Sequence, residues 1–146
     1  MEAGRGQTAP NGTRQLAVVD DNTATHAAVR EQLQQSGEPW HVTIYHSGAE
    51  ALKGLAAAPP HVVLIEQTLT DGCGLRCAER LQNRHPQLPV VIHTAKGSPE
   101  KLFQALTIPA LGYVVKNGKP VAWTLHLRKA MAGRFTMCEQ AERLML

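Results

Sequence analysis

Short apolar runs alternate with amphipathic segments along the chain from Gln15 onwards. Five of the runs have the length and the β-branched content of strands: QLAVVDD, HVTIYH, HVVLIE, LPVVIHTA and ALGYVVK. The third run is continuously apolar, which is typical of a strand covered on both faces. Each run is followed by a segment with helical spacing of its apolar residues. Five strands alternating with five helices predict an α/β fold with a parallel sheet.

The ends of the predicted helices carry residues that start or stop helices. Gly37 and Gly133 follow the first and fifth helical segments, TATHAAVREQLQQSG and KPVAWTLHLRKAMAG, at positions that favour a stop. A Pro-Pro pair ends the second segment, SGAEALKGLAAAPP, and the third is CGLRCAERLQNRH. The fourth, SPEKLFQALT, begins with Ser98 as its cap and Pro99 in its first turn.

Composition adds limits on the class of protein. The 146 residues suit one domain, with 43% hydrophobic residues, 18% charged residues and a net charge of +3. No basic stripe with interleaved aromatic residues occurs, so we expect no direct nucleic-acid binding by this segment. The apolar runs are too short to span a membrane. Three cysteines without paired spacing favour reduced thiols and a cytoplasmic protein.

The first segment, MEAGRGQTAPNGTR, lacks the apolar centre of a signal peptide and is rich in Gly, Thr, Asn and Pro. We therefore expect residues 1–13 to form a disordered tail.

Polar residues stand at the carboxyl ends of four predicted strands, the edge where open parallel sheets bind ligands. These residues are Asp20, Asp21, Glu66, Thr94 and Lys116. Any one of them is readily explained as an exposed strand end. Together, however, the three carboxylates favour a hard cation such as Mg²⁺, and a hydroxyl with an ammonium suits the oxygens of a phosphoryl group. The set predicts a cation and phosphoryl site.

The motifs VVDDN, HVVLIEQTLTDGCGL, VVIHTA and GYVVK occur in an order and spacing that resemble the receiver (CheY-like) domain of two-component response regulators, of the LuxR/NarL-type class. The resemblance covers residues 14–134. It implies a flavodoxin-like (βα)5 doubly wound sandwich with a five-stranded parallel sheet in the order 2-1-3-4-5. It also implies a module of phosphorelay signal transduction rather than an enzyme.

The resemblance implies roles for individual residues and for partners. A Mg²⁺ site would comprise Asp20, Asp21, Glu66 and the backbone carbonyl of Thr68. The switch and phosphate-pocket residues would be Thr94, Tyr113 and Lys116. The implied partners are a sensor histidine kinase and a DNA-binding output domain or partner protein. The output surface would be the fourth helix, the fifth strand and the fifth helix.

Glu66 stands where the family has its phosphoacceptor aspartate. The extra methylene moves the carboxylate by about 1.5 Å, and a misplacement of about 1 Å can slow a reaction about a hundredfold. Glu66 thus makes phosphorylation doubtful and weakens Mg²⁺ binding if it fills the site. Its single charge partly imitates a phosphoryl group of about −1.5 to −2. Two alternatives stay open: an inert Glu66–Lys116 pair in a stand-alone pseudo-receiver that binds proteins through a vestigial pocket, and slow phosphorylation.

Further expectations concern the backbone after the fifth strand and the histidines. Asn117 follows Lys116 where many receivers have proline, and we expect the family's cis peptide bond there. The seven histidines are expected to be exposed or hydrogen-bonded, and His93 is singled out because it precedes Thr94.

The last residues, 135–146, contain TMCEQAERLML, whose apolar spacing suits one face of a helix. This extension either packs on its own domain or on a second copy as a homodimer, or it begins a linker to an output domain. An enzyme on the same fold, such as a phosphatase or a flavin protein, is the alternative class of function. DDNTATH contains no glycine, which argues against a phosphate-binding loop for a nucleotide or a flavin.

Overall fold

A computed structural model describes residues 12–146. Most of the predicted tail, residues 1–11, therefore lies outside the described residues. The strands are β1 (Arg14–Val19), β2 (Trp40–Tyr45), β3 (Val62–Glu66), β4 (Thr68–Leu69), β5 (Gly72–Cys73), β6 (Val90–Thr94), β7 (Gly112–Val115) and β8 (Thr136–Met137). The helices are α1 (Thr23–Gln35), α2 (Gly48–Gly54), α3 (Gly74–Arg84), α4 (Pro99–Ala105), α5 (Trp123–Met131) and α6 (Glu139–Arg143).

Six strands form one parallel sheet in the order β2-β1-β3-β6-β7-β8. The predicted fourth and fifth strands are β6 and β7, so the predicted order 2-1-3-4-5 is confirmed. The sheet has one more strand than expected, because the two-residue β8 pairs with the outer edge of β7. Separately, β4 and β5 form a small antiparallel hairpin directly after Glu66.

Helices cover both faces of the sheet, as the continuously apolar central strands predicted. Side chains alternate between the two faces of a strand, so each strand contributes to two cores. One core lies under α2, α3, α4 and α6, and the other lies under α1 and α5. This arrangement is the α/β sandwich expected from the sequence.

The start of α4 and the ends of α1 and α5 agree with the start and stop residues in the sequence, whereas α2 ends at Gly54, before the predicted stop at Pro59-Pro60. Ser98 Oγ accepts a hydrogen bond from the amide of Lys101 at 3.1 Å, and Pro99 opens α4. Gly37 and Gly133 follow α1 and α5 with φ angles of +78° and +77°, in the left-handed region that favours glycine.

The expected cis peptide bond before Asn117 is wrong, since the described residues contain no cis bond. A trans bond is strongly preferred wherever the following residue is not proline. The chain turns instead through Asn117, whose φ is +46°, a conformation that asparagine tolerates better than most residues. The amide of Asn117 donates to the carbonyl of Ala95 at 2.7 Å and so keeps this turn beside the end of β6.

The C-terminal extension packs on its own domain. Thr136 and Met137 pair with β7, and Cys138 Sγ accepts a hydrogen bond from the amide of Val115 at 3.2 Å. Ala141 in α6 has no exposed surface, and Leu144 packs against the core under α4. The outer edge of β7 is therefore covered. None of the helices described is long and apolar enough to cross a membrane.

Candidate functional site

Four polar side chains come together at the carboxyl edge of the sheet. They lie at or directly after the ends of four neighbouring strands, in the order β1, β3, β6 and β7. All four follow the alternation that faces the α1 and α5 core: Asp20, Glu66, His93 and Lys116. In the strand register Glu66 is the partner of His93. The strands thus place two carboxylates, an imidazole and an ammonium side by side.

Asp20 is only 3% exposed. Its Oδ1 accepts a hydrogen bond from the amide of Asn22 at 3.0 Å, which fixes the carboxylate at the start of α1. Its Oδ2 is buried and has no hydrogen-bond partner. The only compensating charge described near Oδ2 is the Lys116 ammonium, at 3.7 Å. Asp20 therefore offers a free, buried oxygen to the site.

Glu66 ends β3 with 9% of its surface exposed. Its Oε2 accepts a hydrogen bond from the amide of Thr68 at 3.2 Å, and its Oε1 lies 3.8 Å from Lys116 Nζ. Burial raises the pKa of Glu66, while the Thr68 amide and the Lys116 charge lower it and the Asp20 charge raises it further. Burial therefore destabilises the charged form of the carboxylate, and the positive charge of Lys116 offsets part of this loss of hydration.

Lys116 is shared between the two carboxylates without a hydrogen bond to either. At 3.7 and 3.8 Å its ammonium forms ion pairs only, whereas it donates a hydrogen bond to Thr25 Oγ1 at 2.7 Å. Thr25 lies 91 residues away in α1 and was not anticipated from the sequence. The hydroxyl anchors the lysine, so its position does not depend on either carboxylate alone.

His93 departs from what the sequence predicted for the histidines. His26, His85 and His126 each have a hydrogen-bond partner, as expected. His93 is completely buried, and neither ring nitrogen has a hydrogen-bond partner, so the prediction is wrong for this residue. Its Nε2 lies 3.5 Å from Asp20 Oδ2.

The other ring nitrogen of His93, Nδ1, lies 3.8 Å from Glu66 Oε1. The ring packs edge-to-face against Trp123, with a centroid distance of 5.5 Å. Burial lowers the pKa of His93 well below its usual value, and the charge of Lys116 lowers it further. The imidazole is therefore neutral at neutral pH. A polar residue directly after three apolar residues of β6 was the one signal of this role in the sequence.

Asp21 and Thr68, the remaining predicted metal ligands, are exposed. Within residues 12–146, the only group of three side chains able to hold a metal is Asp20, Glu66 and His93, whose ligand atoms lie within 4.8 Å of one another. Asp21 is outside this group. Thr68 contributes its amide to the Glu66 carboxylate, as described above.

The predicted switch residues have other partners. Thr94 Oγ1 accepts a hydrogen bond from Lys101 Nζ at 3.2 Å and donates to the carbonyl of Lys96 at 3.3 Å. No hydrogen bond joins Thr94 to Glu66 or Lys116 in the described part of the chain. Tyr113 belongs to the core under α4, and its hydroxyl donates to Gln67 Oε1 at 2.9 Å.

Gln67 is a central residue that the sequence analysis missed. Its side chain is 4% exposed and bridges two elements, because Oε1 accepts from Tyr113 and Nε2 donates to the carbonyl of Lys101 in α4 at 2.9 Å. Its own amide donates to the carbonyl of His93 at 2.7 Å. The residue after Glu66 thus links the site to α4 and β7. A polar residue next to a buried strand end was the available signal.

The loop after Glu66 is held at both ends. Asp71 accepts hydrogen bonds from the first two amides of α2, with Oδ1 3.0 Å from Gly48 N and Oδ2 3.0 Å from Ala49 N. These bonds lower the pKa of Asp71. At the other end, a Cβ on Gly74 would lie 1.9 Å from the carbonyl oxygen of Glu66, so only glycine allows this approach. The backbone around Glu66 is therefore closely positioned.

Comparison with known proteins gives a consistent assignment of family. The family model of the response regulator receiver domain matches residues 16–128 of this chain. The DNA-binding transcriptional activator DevR/DosR of Mycobacterium tuberculosis is 31% identical over 124 residues, covering 85% of this chain and 57% of that protein. The DNA-binding transcriptional regulator NtrC of Escherichia coli is 31% identical over 99 residues, covering 68% of this chain and 21% of its own length.

The chain thus spans about half or less of the length of these relatives. Solved structures agree on the fold. The isolated receiver domain of RcsB from Salmonella enterica, solved with the phosphomimetic BeF3⁻, superposes with a TM-score of 0.77 at 20% identity, covering 90% of this chain and 98% of that one. A LuxR-family response regulator from Aurantimonas reaches 0.79 at 20% identity, with 90% and 94% coverage.

Proposed function

The chain belongs to the response regulator receiver domain family, and on that premise we propose that it is a two-component signalling module whose output does not depend on phosphotransfer. The observation that carries the proposal is the ion pair between the Glu66 carboxylate and the Lys116 ammonium, at 3.8 Å, in a pocket that also contains Asp20. A carboxylate thus takes the place of the phosphoacceptor and faces the phosphate-pairing lysine.

Glu66 is poorly suited to act as the acceptor. Its carboxylate lies about 1.5 Å farther from the backbone than that of an aspartate, and attack on a phosphoryl group is sensitive to shifts of about 1 Å. One oxygen, Oε2, is already engaged by the Thr68 amide and the other faces Lys116. Neither oxygen is directed freely towards an incoming phosphoryl donor.

The imitation of the phosphorylated state is partial. With His93 neutral, two carboxylates face one ammonium and leave a net charge of −1 in the pocket. A phosphoryl group would add about −1.5 to −2. A phosphoryl group would contact both Lys116 and Thr94. Glu66 forms the contact with Lys116, whereas the Thr94 hydroxyl is hydrogen-bonded to Lys101 instead. We propose an output intermediate between the resting and the phosphorylated states.

The acidic residues fit a divalent cation, because Asp20 Oδ2 is buried without a hydrogen-bond partner. Asp20, Glu66 and the predicted Asp21 and Thr68 carbonyl would hold Mg²⁺ here. When bound, the ion neutralises phosphoryl oxygens. Lys116 competes for the same two carboxylates, so we expect weak Mg²⁺ binding.

We propose a sensor histidine kinase as a partner because the chain belongs to the receiver domain family. We propose a DNA-binding output domain because the relatives DevR/DosR and NtrC are named as DNA-binding regulators. The output surface would be α4, β7 and α5. Large exposed apolar residues there are Phe103 on α4, Leu106 at the C-cap of α4 and Leu125 on α5. Since β8 covers the outer edge of β7, a partner would contact the helices rather than the strand edge.

A second function is favoured by a separate observation. Thr94 and Lys116 both have their own hydrogen-bond partners, Lys101 and Thr25, which hold them whether or not Glu66 is charged. These hydrogen bonds are sufficient for a pseudo-receiver that binds proteins through its helices and has a vestigial pocket.

Phosphorylation by acetyl phosphate with Mg²⁺, followed by intact mass, tests the proposal on the original chain, on Glu66→Asp and on the matched neutral control Glu66→Gln. We expect only the aspartate variant to gain a phosphoryl group. Hydrogen exchange of residues 95–106 should then place the original chain between the Glu66→Gln variant and the phosphorylated Glu66→Asp variant.

Each other outcome rejects a definite part of this scheme. A phosphoryl group on the original chain would make Glu66 a working acceptor. If hydrogen exchange is identical in the original chain and in Glu66→Gln, Glu66 does not imitate a phosphoryl group. The pseudo-receiver function would then be the supported one. No phosphorylation of Glu66→Asp would mean that the pocket lacks the competence of a receiver.

A further inference from the structure

The buried imidazole of His93 has no role in the scheme above. It has no exposed surface, and both ring nitrogens lack hydrogen-bond partners. A neutral imidazole always carries one N–H donor and one lone-pair acceptor, and leaving such groups unpaired in the interior is costly. A leucine or valine would satisfy this position in an apolar strand without that cost. The imidazole at this position therefore points to a ligand.

The surroundings of the ring have the geometry of a metal site. The ligand atoms of Asp20, Glu66 and His93 all lie within 4.8 Å of one another, with 3.5 Å between His93 Nε2 and Asp20 Oδ2. Around a tetrahedral ion with bonds of about 2.0–2.1 Å, ligand atoms are spaced roughly 3.3–3.5 Å apart. Glu66 Oε1 lies beside the other ring nitrogen, Nδ1, at 3.8 Å, so an ion on Nε2 requires the Glu66 side chain to turn towards Asp20.

The chemistry of the ligands decides which ion fits. Mg²⁺ prefers oxygen ligands only, whereas an imidazole with carboxylates suits Zn²⁺, Co²⁺ and related ions. We propose that Asp20, Glu66 and His93 form a binding site for a first-row transition-metal ion, in preference to Mg²⁺. This site does not depend on whether Glu66 imitates phosphorylation, because it requires only the positions of the three side chains.

The neighbouring groups are compatible with such an ion. A metal requires the neutral form of histidine, and burial keeps His93 in that form. Lys116 retains its hydrogen bond to Thr25 when the carboxylates turn to the ion. The side chains of Glu66 and Lys116 are 11% and 15% exposed, so the site opens to solvent beside them. His26 is not a ligand, because its Nε2 lies 2.7 Å from the carbonyl of Asp20.

A bound ion would connect the ends of β1, β3 and β6. It would also withdraw the Glu66 and Asp20 carboxylates from Lys116, the contact on which the signalling proposal rests. The metal would therefore act as a ligand that changes the charge facing Lys116.

Trp123 provides a built-in reporter, because its ring lies 5.5 Å from that of His93. In a Trp40→Phe background Trp123 is the sole tryptophan, and Co²⁺ bound at His93 should quench its fluorescence. Zn²⁺ and Mg²⁺ are then titrated as competitors. The same titrations are made on His93→Leu and on the matched control His46→Gln, since His46 is exposed and its ring lies 5.8 Å from that of His26.

We expect His93→Leu to bind Zn²⁺ and Co²⁺ at least about tenfold more weakly, with Mg²⁺ binding changed by less than about twofold. His46→Gln should leave all three affinities unchanged. In EDTA, His93→Leu should melt at or above the melting temperature of the background, because two unpaired nitrogens are removed. Zn²⁺ should raise the melting temperature of the background and leave that of His93→Leu unchanged.

Equal Zn²⁺ affinity in the background and in His93→Leu would overturn the proposal. Loss of binding in His46→Gln would assign the ion to the exposed histidine instead, and would also overturn it. If His93→Leu does not fold, Asp20→Asn replaces it, with the same loss of Zn²⁺ binding expected. Failure of this site would leave the phosphorylation outcomes of Glu66→Asp unaffected, so the two proposals fail separately.

Discussion

Replacing Tyr113 by phenylalanine tests the hydrogen-bonded link between the site and β7. Tyr113 is 1% exposed and donates to Gln67 Oε1 at 2.9 Å. Burial raises the pKa of Tyr113 to about 12, so the hydroxyl remains a donor at neutral pH. The substitution keeps the ring and its apolar contacts. It leaves the buried oxygen of Gln67 without a donor.

The expected loss follows from that single orphaned acceptor. Leaving a buried neutral group unpaired costs about 1–3 kcal/mol. In a chain of this length 1 kcal/mol corresponds to about 2–4 °C in the melting temperature. We expect Tyr113→Phe to unfold at a correspondingly lower temperature, and hydrogen exchange in α4 to rise because Gln67 also holds the carbonyl of Lys101.

Urea and thermal unfolding of four chains measure this effect: the original, Tyr113→Phe, Gln67→Leu and the double variant. A double-mutant cycle should give a coupling of about 1 kcal/mol. Tyr45→Phe is the matched control, because Tyr45 is half-buried and no hydrogen-bond partner for its hydroxyl is described in residues 12–146. Its stability should change by less than about 0.5 kcal/mol. A loss below that value for Tyr113→Phe, with additive effects in the cycle, would refute the role assigned to Gln67.

Two further predictions concern the loop after Glu66 and the cysteines beside it. Gly74→Ala should lower the free energy of unfolding by about 3 kcal/mol or more, because the new Cβ would lie 1.9 Å from the Glu66 carbonyl oxygen. Gly48→Ala is the control, since the nearest atom to its new Cβ is 3.5 Å away. Its free energy of unfolding in urea should change little. Burial raises the pKa of Cys77 to about 11, so about one thiol in a thousand is ionised at pH 8. Iodoacetamide at pH 8 should therefore label the exposed Cys73 first, and peptide mapping that finds Cys77 labelled equally fast would contradict this burial.

Local patterns in the sequence were enough to predict the layered α/β fold, since apolar runs and helix caps are written in consecutive residues. The order of the five predicted strands came from the resemblance to receiver domains, and the structure confirmed it. The same patterns placed Asp20, Glu66 and Lys116 at one edge, because the carboxyl ends of parallel strands meet there. The resemblance to receiver domains rested on these residues, and the family was confirmed by comparison with known proteins.

What each of these side chains faces depends on contacts between distant parts of the chain. Lys116 meets Thr25 across 91 residues, and Tyr113 meets Gln67 across 46 residues. Strand alternation states which face a residue occupies but not which residue of another strand lies beside it. For this reason His93 was expected to be exposed or to have a hydrogen-bond partner, and its position between Asp20 and Glu66 was not predicted. The two-residue β8 is too short to produce a periodic signal, and it forms because the edge of β7 is available for pairing.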